Sequence, residues 1–115
     1  MMKPTNELSL VYLCSQPVDF RKGILGLSAL VEANLSLNPF TEALFVFCNR
    51  QRSGIKMLYW QHNGFCLWQK RLEQDRFPWP REPGEARSIT SGQLTMLLDG
   101  IDFWQAHQER HYQNL

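Results

Sequence analysis

The sequence predicts an α+β domain in which an antiparallel sheet of about four strands, with a central Asn-Gly hairpin, carries two helices packed on one face. Three observations predict it. Two β-type runs, 55–61 and 65–72, flank Asn63-Gly64. The apolar run 43–48 is typical of a buried central strand. Two further stretches place apolar residues at helical spacing, which predicts the helices.

The first strand is predicted over residues 8–14, and the first helix follows it. Asp19 is a residue type that caps helices, so we expect Arg21 and Lys22 in the first helical turn. Pro39 disfavours helical geometry just before it, so the helix ends before residue 37. Its apolar face is formed by Phe20, Ile24, Leu27, Leu30 and Val31.

The hairpin is the strongest local signal, because Asn63 and Gly64 suit the two positive-φ positions of a type I′ turn. A loop made of these two residues sets the register. The predicted pairs on one face are His62–Phe65, Trp60–Leu67, Leu58–Gln69 and Lys56–Arg71.

The C-terminal part predicts a loop, a short strand and a helix. Prolines interrupt residues 75–85, and residues 87–89 form the short strand. Thr90 and Gln93 have the capping-box spacing, so the second helix begins there and ends near Gly100. We expect a single domain over residues 1–104 and a polar tail, disordered or helical, over 105–115.

The composition excludes several classes of protein. The chain has 115 residues, a net charge of +1 and no apolar run longer than six residues, so we expect one domain, no membrane span and a cytoplasmic location. Cysteines 14, 48 and 66 lack metal-site spacing and predict buried, reduced thiols. Residues 50–76 nevertheless carry 6 basic and 2 acidic side chains, which favours an anionic partner.

Several motifs in order carry a resemblance to a known family. The motifs are Asp19-Phe20-Arg21-Lys22-Gly23, Leu44-Phe45-Val46-Phe47, Ile55-Lys56-Met57-Leu58-Tyr59-Trp60, Asn63-Gly64-Phe65-Cys66-Leu67, Lys70-Arg71-Leu72-Glu73, Phe77-Pro78-Trp79-Pro80 and Leu97-Leu98-Asp99-Gly100-Ile101-Asp102. Together they resemble the small accessory protein (TnpB, or Orf2-like) of bacterial insertion-sequence family sixty-six. The resemblance implies a factor needed for DNA transposition, with a separate, element-encoded transposase as partner and DNA at the element ends as a second candidate partner.

No catalytic, metal or cofactor site is predicted. The carboxylates do not form the cluster that a two-metal nuclease needs. Asp99 and Asp102 are expected to be solvent-exposed. His107 and His111 share a helical spacing but lack a third ligand nearby. We therefore expect a protein that is not an enzyme.

Two function hypotheses remain open. In the first, basic side chains make weak DNA contact, and the candidates are Arg21, Lys22, Arg50, Arg52, Lys56, Lys70 and Arg71. Alternatively, Arg21 pairs with Asp19 or Asp102, and the hairpin aromatics form the core. In the second hypothesis, the protein supports the transposase assembly without binding DNA, through Phe77, Trp79, Phe103 and Trp104. The sequence leaves the oligomeric state open.

Overall fold

A computed structural model describes residues 10–80 and 86–104. The elements within these ranges are β1 (Leu10–Cys14), α1 (Ile24–Asn34), β2 (Ala43–Cys48), β3 (Gly54–Gln61), β4 (Gly64–Arg71), β5 (Ala86–Ile89) and α2 (Ser91–Leu98). The predicted tail over 105–115 lies outside the described residues. No described helix has the length and apolar character needed to cross a membrane.

The strands form one mixed sheet in the order β4-β3-β2-β1-β5. The α+β class is confirmed, and β2 is the central strand, as predicted. The expectation of about four antiparallel strands is corrected, because the described sheet has five strands and β1 runs parallel to β2. The connection through α1 is the cause, since a helical crossover returns the chain in its original direction.

The two helices cover opposite faces of the sheet, so the prediction that they share one face is wrong. Every residue of β2 is buried. Its alternate side chains belong to two separate cores, with Phe45 and Phe47 packed with Leu27 and Val31 of α1. Leu44 and Val46 pack instead with the buried leucines of α2. A strand that is apolar on both sides needs a cover on each face, and the two helices provide it.

The hairpin lies at the sheet edge rather than at its centre, and its loop is one residue earlier than predicted. Gln61 pairs with Gly64, so His62 and Asn63 form the loop. His62 takes the positive φ of +55°. Trp60 therefore faces Phe65, with ring centroids 5.0 Å apart. Each partner shifts by two residues from the predicted register, which keeps every side chain on its predicted face.

Helix α1 begins four residues later than the Asp19 cap predicted. The Asp19 carboxylate accepts the backbone N–H of Arg21 at 2.9 Å, and its carbonyl accepts the N–H of Lys22 at 3.0 Å. This local turn competes with helix formation. Arg21 and Lys22 therefore precede the helix, whose N-cap is Gly23.

Helix α2 agrees with its predicted start and end. Thr90 and Gln93 exchange both capping-box hydrogen bonds, at 2.9 and 3.0 Å. Gly100 follows the last turn with φ +79°, the left-handed conformation in which a glycine ends a helix at no steric cost. The short strand at 87–89 is also confirmed as part of β5.

Candidate nucleic-acid interface

Three chain segments meet where β1 and β2 end, and we call this region the basic end (residues 18–23, 49–54 and 71–77). Backbone hydrogen bonds join the segments: Val18 donates to Cys48 (2.9 Å), Leu72 to Ser53 (2.7 Å) and Phe77 to Arg52 (2.8 Å). Segments that are distant in sequence thus form one continuous surface at the carboxyl ends of the two parallel strands.

Lys56 holds the first of these segments in place from below. Its side chain is only 6% exposed, and its ammonium donates hydrogen bonds to the carbonyls of Phe20 (2.8 Å) and Lys22 (2.9 Å). The same ammonium lies 4.9 Å from the centre of the Phe20 ring, a cation–π contact. Because its ammonium donates to backbone carbonyls inside the protein, Lys56 is not placed to contact DNA as predicted.

Phe20 closes the contact between the first segment and the loop before β3. A Cβ atom at Gly54 would lie 2.7 Å from the Phe20 ring, so only glycine allows this approach. The Asn49 side chain braces the same loop. It accepts the N–H groups of Ser53 (2.9 Å) and Gly54 (3.1 Å). The backbone under the basic end is therefore fixed by specific contacts.

Asp19 orients Arg21 at the surface. The guanidinium donates through Nε (2.9 Å) and Nη2 (2.6 Å) to one carboxylate oxygen, and the Arg21 side chain is 91% exposed. Hydrogen bonds from Arg21 lower the pKa of Asp19 to about 2, and the carboxylate in turn raises the pKa of Arg21. This pairing confirms one of the two open interpretations of Arg21. It still leaves the Nη1 side of the guanidinium free to receive an anion.

Four other predicted basic residues lie in the three joined segments of the basic end. Lys22 lays its aliphatic stem over Gly26, where a Cβ atom would lie 3.2 Å away. Arg50 is exposed, and Arg52 takes a left-handed φ of +61° in the same loop. Arg71 is exposed and pairs with Gly54 across the hairpin. The structure thus brings together five of the seven predicted residues.

Arg76 lies in the third segment of the basic end, although it was not among the predicted residues. It is exposed next to Phe77, whose N–H binds the Arg52 carbonyl. The only sequence feature that could have indicated Arg76 was its place in the basic segment 50–76. The local pattern does not show that the chain folds back there to the loop before β3.

Lys70 lies on the other face of the sheet. Its ammonium donates to the Leu98 carbonyl at 2.9 Å, in the last turn of α2, where a cation satisfies free carbonyl groups. It also lines an open cleft of about 480 Å³ together with Asp75, Arg76 and Asp99. This cleft carries both signs of charge, which does not select a class of ligand.

The predicted partner-binding aromatics take two different positions. Phe77 and Trp79 are 1% and 6% exposed, in the core under α2, so their rings are not available at the surface for a partner. Trp79 donates its indole N–H to the Cys14 carbonyl at 3.1 Å. Phe103 and Trp104 are half-buried, and Arg87 stacks over the Trp104 ring at 4.6 Å.

A second aromatic group lies at the opposite end of the hairpin, and we call it the aromatic end (Phe40, Trp60 and Phe65). The Phe40 ring lies 5.1 Å from Trp60 and 5.2 Å from Phe65 between centroids. Phe40 is 53% exposed. Sequence reasoning missed Phe40 because it stands alone in a loop after Pro39, and only the tertiary structure brings it to the hairpin.

The described residues contain no group of three side chains suited to hold a metal ion. Asp99 and Asp102 are both exposed, as expected. His107 and His111 lie outside the described residues.

Comparison with known proteins assigns the family. Residues 9–108 match the family described as IS66 Orf2 like protein, which is nearly the whole chain. The chain belongs to this family. The IS66 Orf2-like proteins are insertion-sequence-associated accessory proteins rather than transposases, as the resemblance predicted.

Two relatives come from Sinorhizobium fredii (strain NBRC 101917 / NGR234). The chain is 39% identical over 108 residues to the uncharacterized protein y4hO, covering 94% of this chain and 93% of the relative. It is 32% identical over 103 residues to the uncharacterized protein y4jC, covering 90% and 87%. No solved structure matches the chain.

Proposed function

We propose that this IS66 Orf2-like protein is a non-catalytic accessory factor of DNA transposition that contacts DNA through the basic end, beside the element's transposase. One observation carries the proposal. Five exposed or half-exposed cations from three chain segments converge on one surface, namely Arg21, Lys22, Arg50, Arg52 and Arg71. Family membership supplies the DNA context.

The chemistry of the surface favours phosphate as the group that is recognised. Arginine and lysine donate hydrogen bonds without accepting any, and guanidinium matches phosphate geometry. The carboxylate of Asp19 holds Arg21 in one orientation, so the entropy lost on binding is smaller than for a free side chain. Contacts between cations and phosphates carry no sequence information, so binding through this surface is expected to be weak and insensitive to sequence.

Replacing Arg21 and Lys22 together with alanine tests the proposal. Five phosphate contacts would give a slope of log affinity against log salt of about −4 to −5, and losing two contacts makes that slope shallower by about 2. Affinity for element-end DNA should fall in fluorescence anisotropy titrations at several salt concentrations. Arg87→Ala, which removes from β5, the edge strand opposite β4, a cation that stacks on Trp104, should leave the slope unchanged.

Two outcomes would overturn this function. If the wild-type protein binds no DNA at low salt, alone or with the transposase, the DNA contact does not exist. If the double substitution unfolds the protein in a thermal melt, the role of Arg21 is to hold the turn with Asp19. The distinction is clear because both side chains are exposed and their removal should leave the melting temperature nearly unchanged.

The aromatic end favours a second candidate function, a module that binds the transposase without touching DNA. Three rings in mutual contact with one of them half-exposed provide an apolar anchor of the kind that interfaces use. Co-purification with the transposase, with and without terminal DNA, separates the two candidates. Phe40→Ala should abolish DNA-independent co-purification if the second candidate is correct, and Arg21→Ala with Lys22→Ala should not.

A further inference from the structure

The outer edge of β4 has the properties of a strand-pairing surface. β4 is the last strand of the sheet, so none of the described residues pairs with its outer side. It is eight residues long and pairs with β3 without interruption, which excludes a bulge. It contains no proline, and its Lys70 ammonium is held by Leu98. Among residues 10–80 and 86–104, the devices that usually protect an edge strand from pairing are therefore absent along most of this strand.

The hydrogen-bonding groups on that edge can be identified. Leu72 donates its N–H to Ser53 on the inner side of the hairpin. Backbone groups alternate sides along a strand, so the even-numbered residues of β4 bond to β3. The odd-numbered residues turn their N–H and C=O groups to the outer edge. These residues are Phe65, Leu67, Gln69 and Arg71.

We propose that β4 pairs with β4 of a second copy of this chain, antiparallel, around a twofold axis at Trp68. The arrangement joins two five-stranded sheets into one continuous sheet. About eight backbone hydrogen bonds form, two for each outward-facing residue pair. The proposal is independent of DNA binding.

The charges and rings along β4 select a second copy as the partner and Trp68 as the centre. In this register, Arg71 of each copy lies opposite Phe65 of the other, a cation beside an aromatic ring on the same face. An axis at Leu67 would instead set Arg71 opposite the turn residue Asn63. An axis at Lys70 would place two lysines opposite each other, which is unfavourable.

Gln69→Pro tests the pairing. The N–H of Gln69 faces outward, so proline removes a hydrogen bond to the partner while keeping the bonds to β3. Wild-type protein should sediment as a dimer at about 50 μM, and Gln69→Pro as a monomer with an unchanged circular dichroism spectrum. Gln69→Ala, which keeps the N–H, should remain a dimer. A monomeric wild-type protein, or a Gln69→Pro variant that folds and dimerises, overturns the proposal.

Arg71→Glu keeps the proposal testable if proline prevents folding. It replaces a cation–π contact that occurs twice in the dimer, so dimerisation should weaken about tenfold. Arg50→Glu, which reverses a charge away from the edge strand, should leave dimerisation unchanged. Equal dimer stability for Arg71→Glu and wild type would overturn the proposed pairing.

A disulfide tests the register. Cys66 lies opposite residue 70 of the second copy when the axis is at Trp68. Lys70→Cys should therefore give a covalent dimer with Cys66 under mild oxidation by copper phenanthroline. Residue 69 lies on the other face of the sheet, so Gln69→Cys should not form a disulfide with Cys66. A dimer that neither variant cross-links overturns the Trp68-centred register.

Discussion

The two ends of the β3–β4 hairpin are built by different physical means. At the basic end, hydrogen bonds from Lys56 and Asn49 fix two loops, and Phe20 closes tightly over Gly54. At the aromatic end, the Phe40 N–H donates to the nearby Asn38 side chain (2.9 Å), and ring contacts join Phe40 to Trp60 and Phe65. The charged side chains project from a fixed backbone, whereas the exposed rings form an apolar surface.

The two ends should differ in how much stability a substitution costs. Buried hydrogen bonds to a charged group depend strongly on geometry and leave unsatisfied carbonyls when one partner is removed. Ring contacts near the surface are weaker and adapt to changes. Substitutions under the basic end should therefore cost more stability than substitutions at the aromatic end.

Lys56→Met should have the largest effect. Methionine keeps much of the apolar stem but leaves the Phe20 and Lys22 carbonyls without their donor. Hydrogen bonds to a charged group contribute about 1.5–3 kcal/mol each, so we expect a loss of about 2–4 kcal/mol in the free energy of unfolding, measured in urea. Arg50→Met, at an exposed position of the neighbouring loop, is the control. A loss below about 0.5 kcal/mol would contradict the role of Lys56.

Gly54→Ala and Gly64→Ala compare the two ends of the hairpin directly. A methyl group at Gly54 meets the Phe20 ring at 2.7 Å, whereas one at Gly64 has nothing within 4 Å. Overpacking costs about 1–3 kcal/mol, so Gly54→Ala should lower the urea midpoint and Gly64→Ala should leave it almost unchanged. Equal midpoints for the two variants would mean that Phe20 moves aside freely.

Phe40→Ala should destabilise the protein by only about 1 kcal/mol. Its two ring contacts are near the surface, and such pairs contribute about 0.5–1.5 kcal/mol. Leu25→Ala is the control, because Leu25 is 82% exposed and has no such contact. If thermal melts show a loss as large as that of Lys56→Met, the aromatic end is part of the core rather than a surface.

The three cysteines should differ in their reactivity, which can be tested on the wild-type protein. Burial raises the pKa of Cys48 to about 12, despite the opposing charge of Arg52, and also raises the pKa of Cys14. Both thiols therefore stay protonated at pH 8. Half-buried Cys66 should react quickly with a thiol reagent, whereas the other two should react only after unfolding in urea. Three fast thiols in the native protein would contradict the burial.

Local sequence patterns predicted most of the helices and strands. Continuous apolar character predicted β2, the capping-box spacing predicted α2, and two β-type runs predicted a hairpin. The position of the hairpin loop was predicted wrongly because the turn preference of Asn63-Gly64 is only local. The cross-strand contact between Trp60 and Phe65 outweighs that preference. The start of α1 was missed for a similar reason, since Asp19 forms its own turn with Arg21 and Lys22.

How these elements pack together depends on contacts between residues that are distant in sequence. Residues 21, 52 and 71 look unrelated in sequence, and their gathering at the basic end depends on backbone hydrogen bonds between distant segments. The charge of Lys56 suggested a surface residue, but its direction was set by two carbonyls more than 30 residues away. The spacing of apolar residues along a helix or strand indicates which of its side chains are buried. It does not indicate which other helix or strand covers them, because that depends on long-range packing.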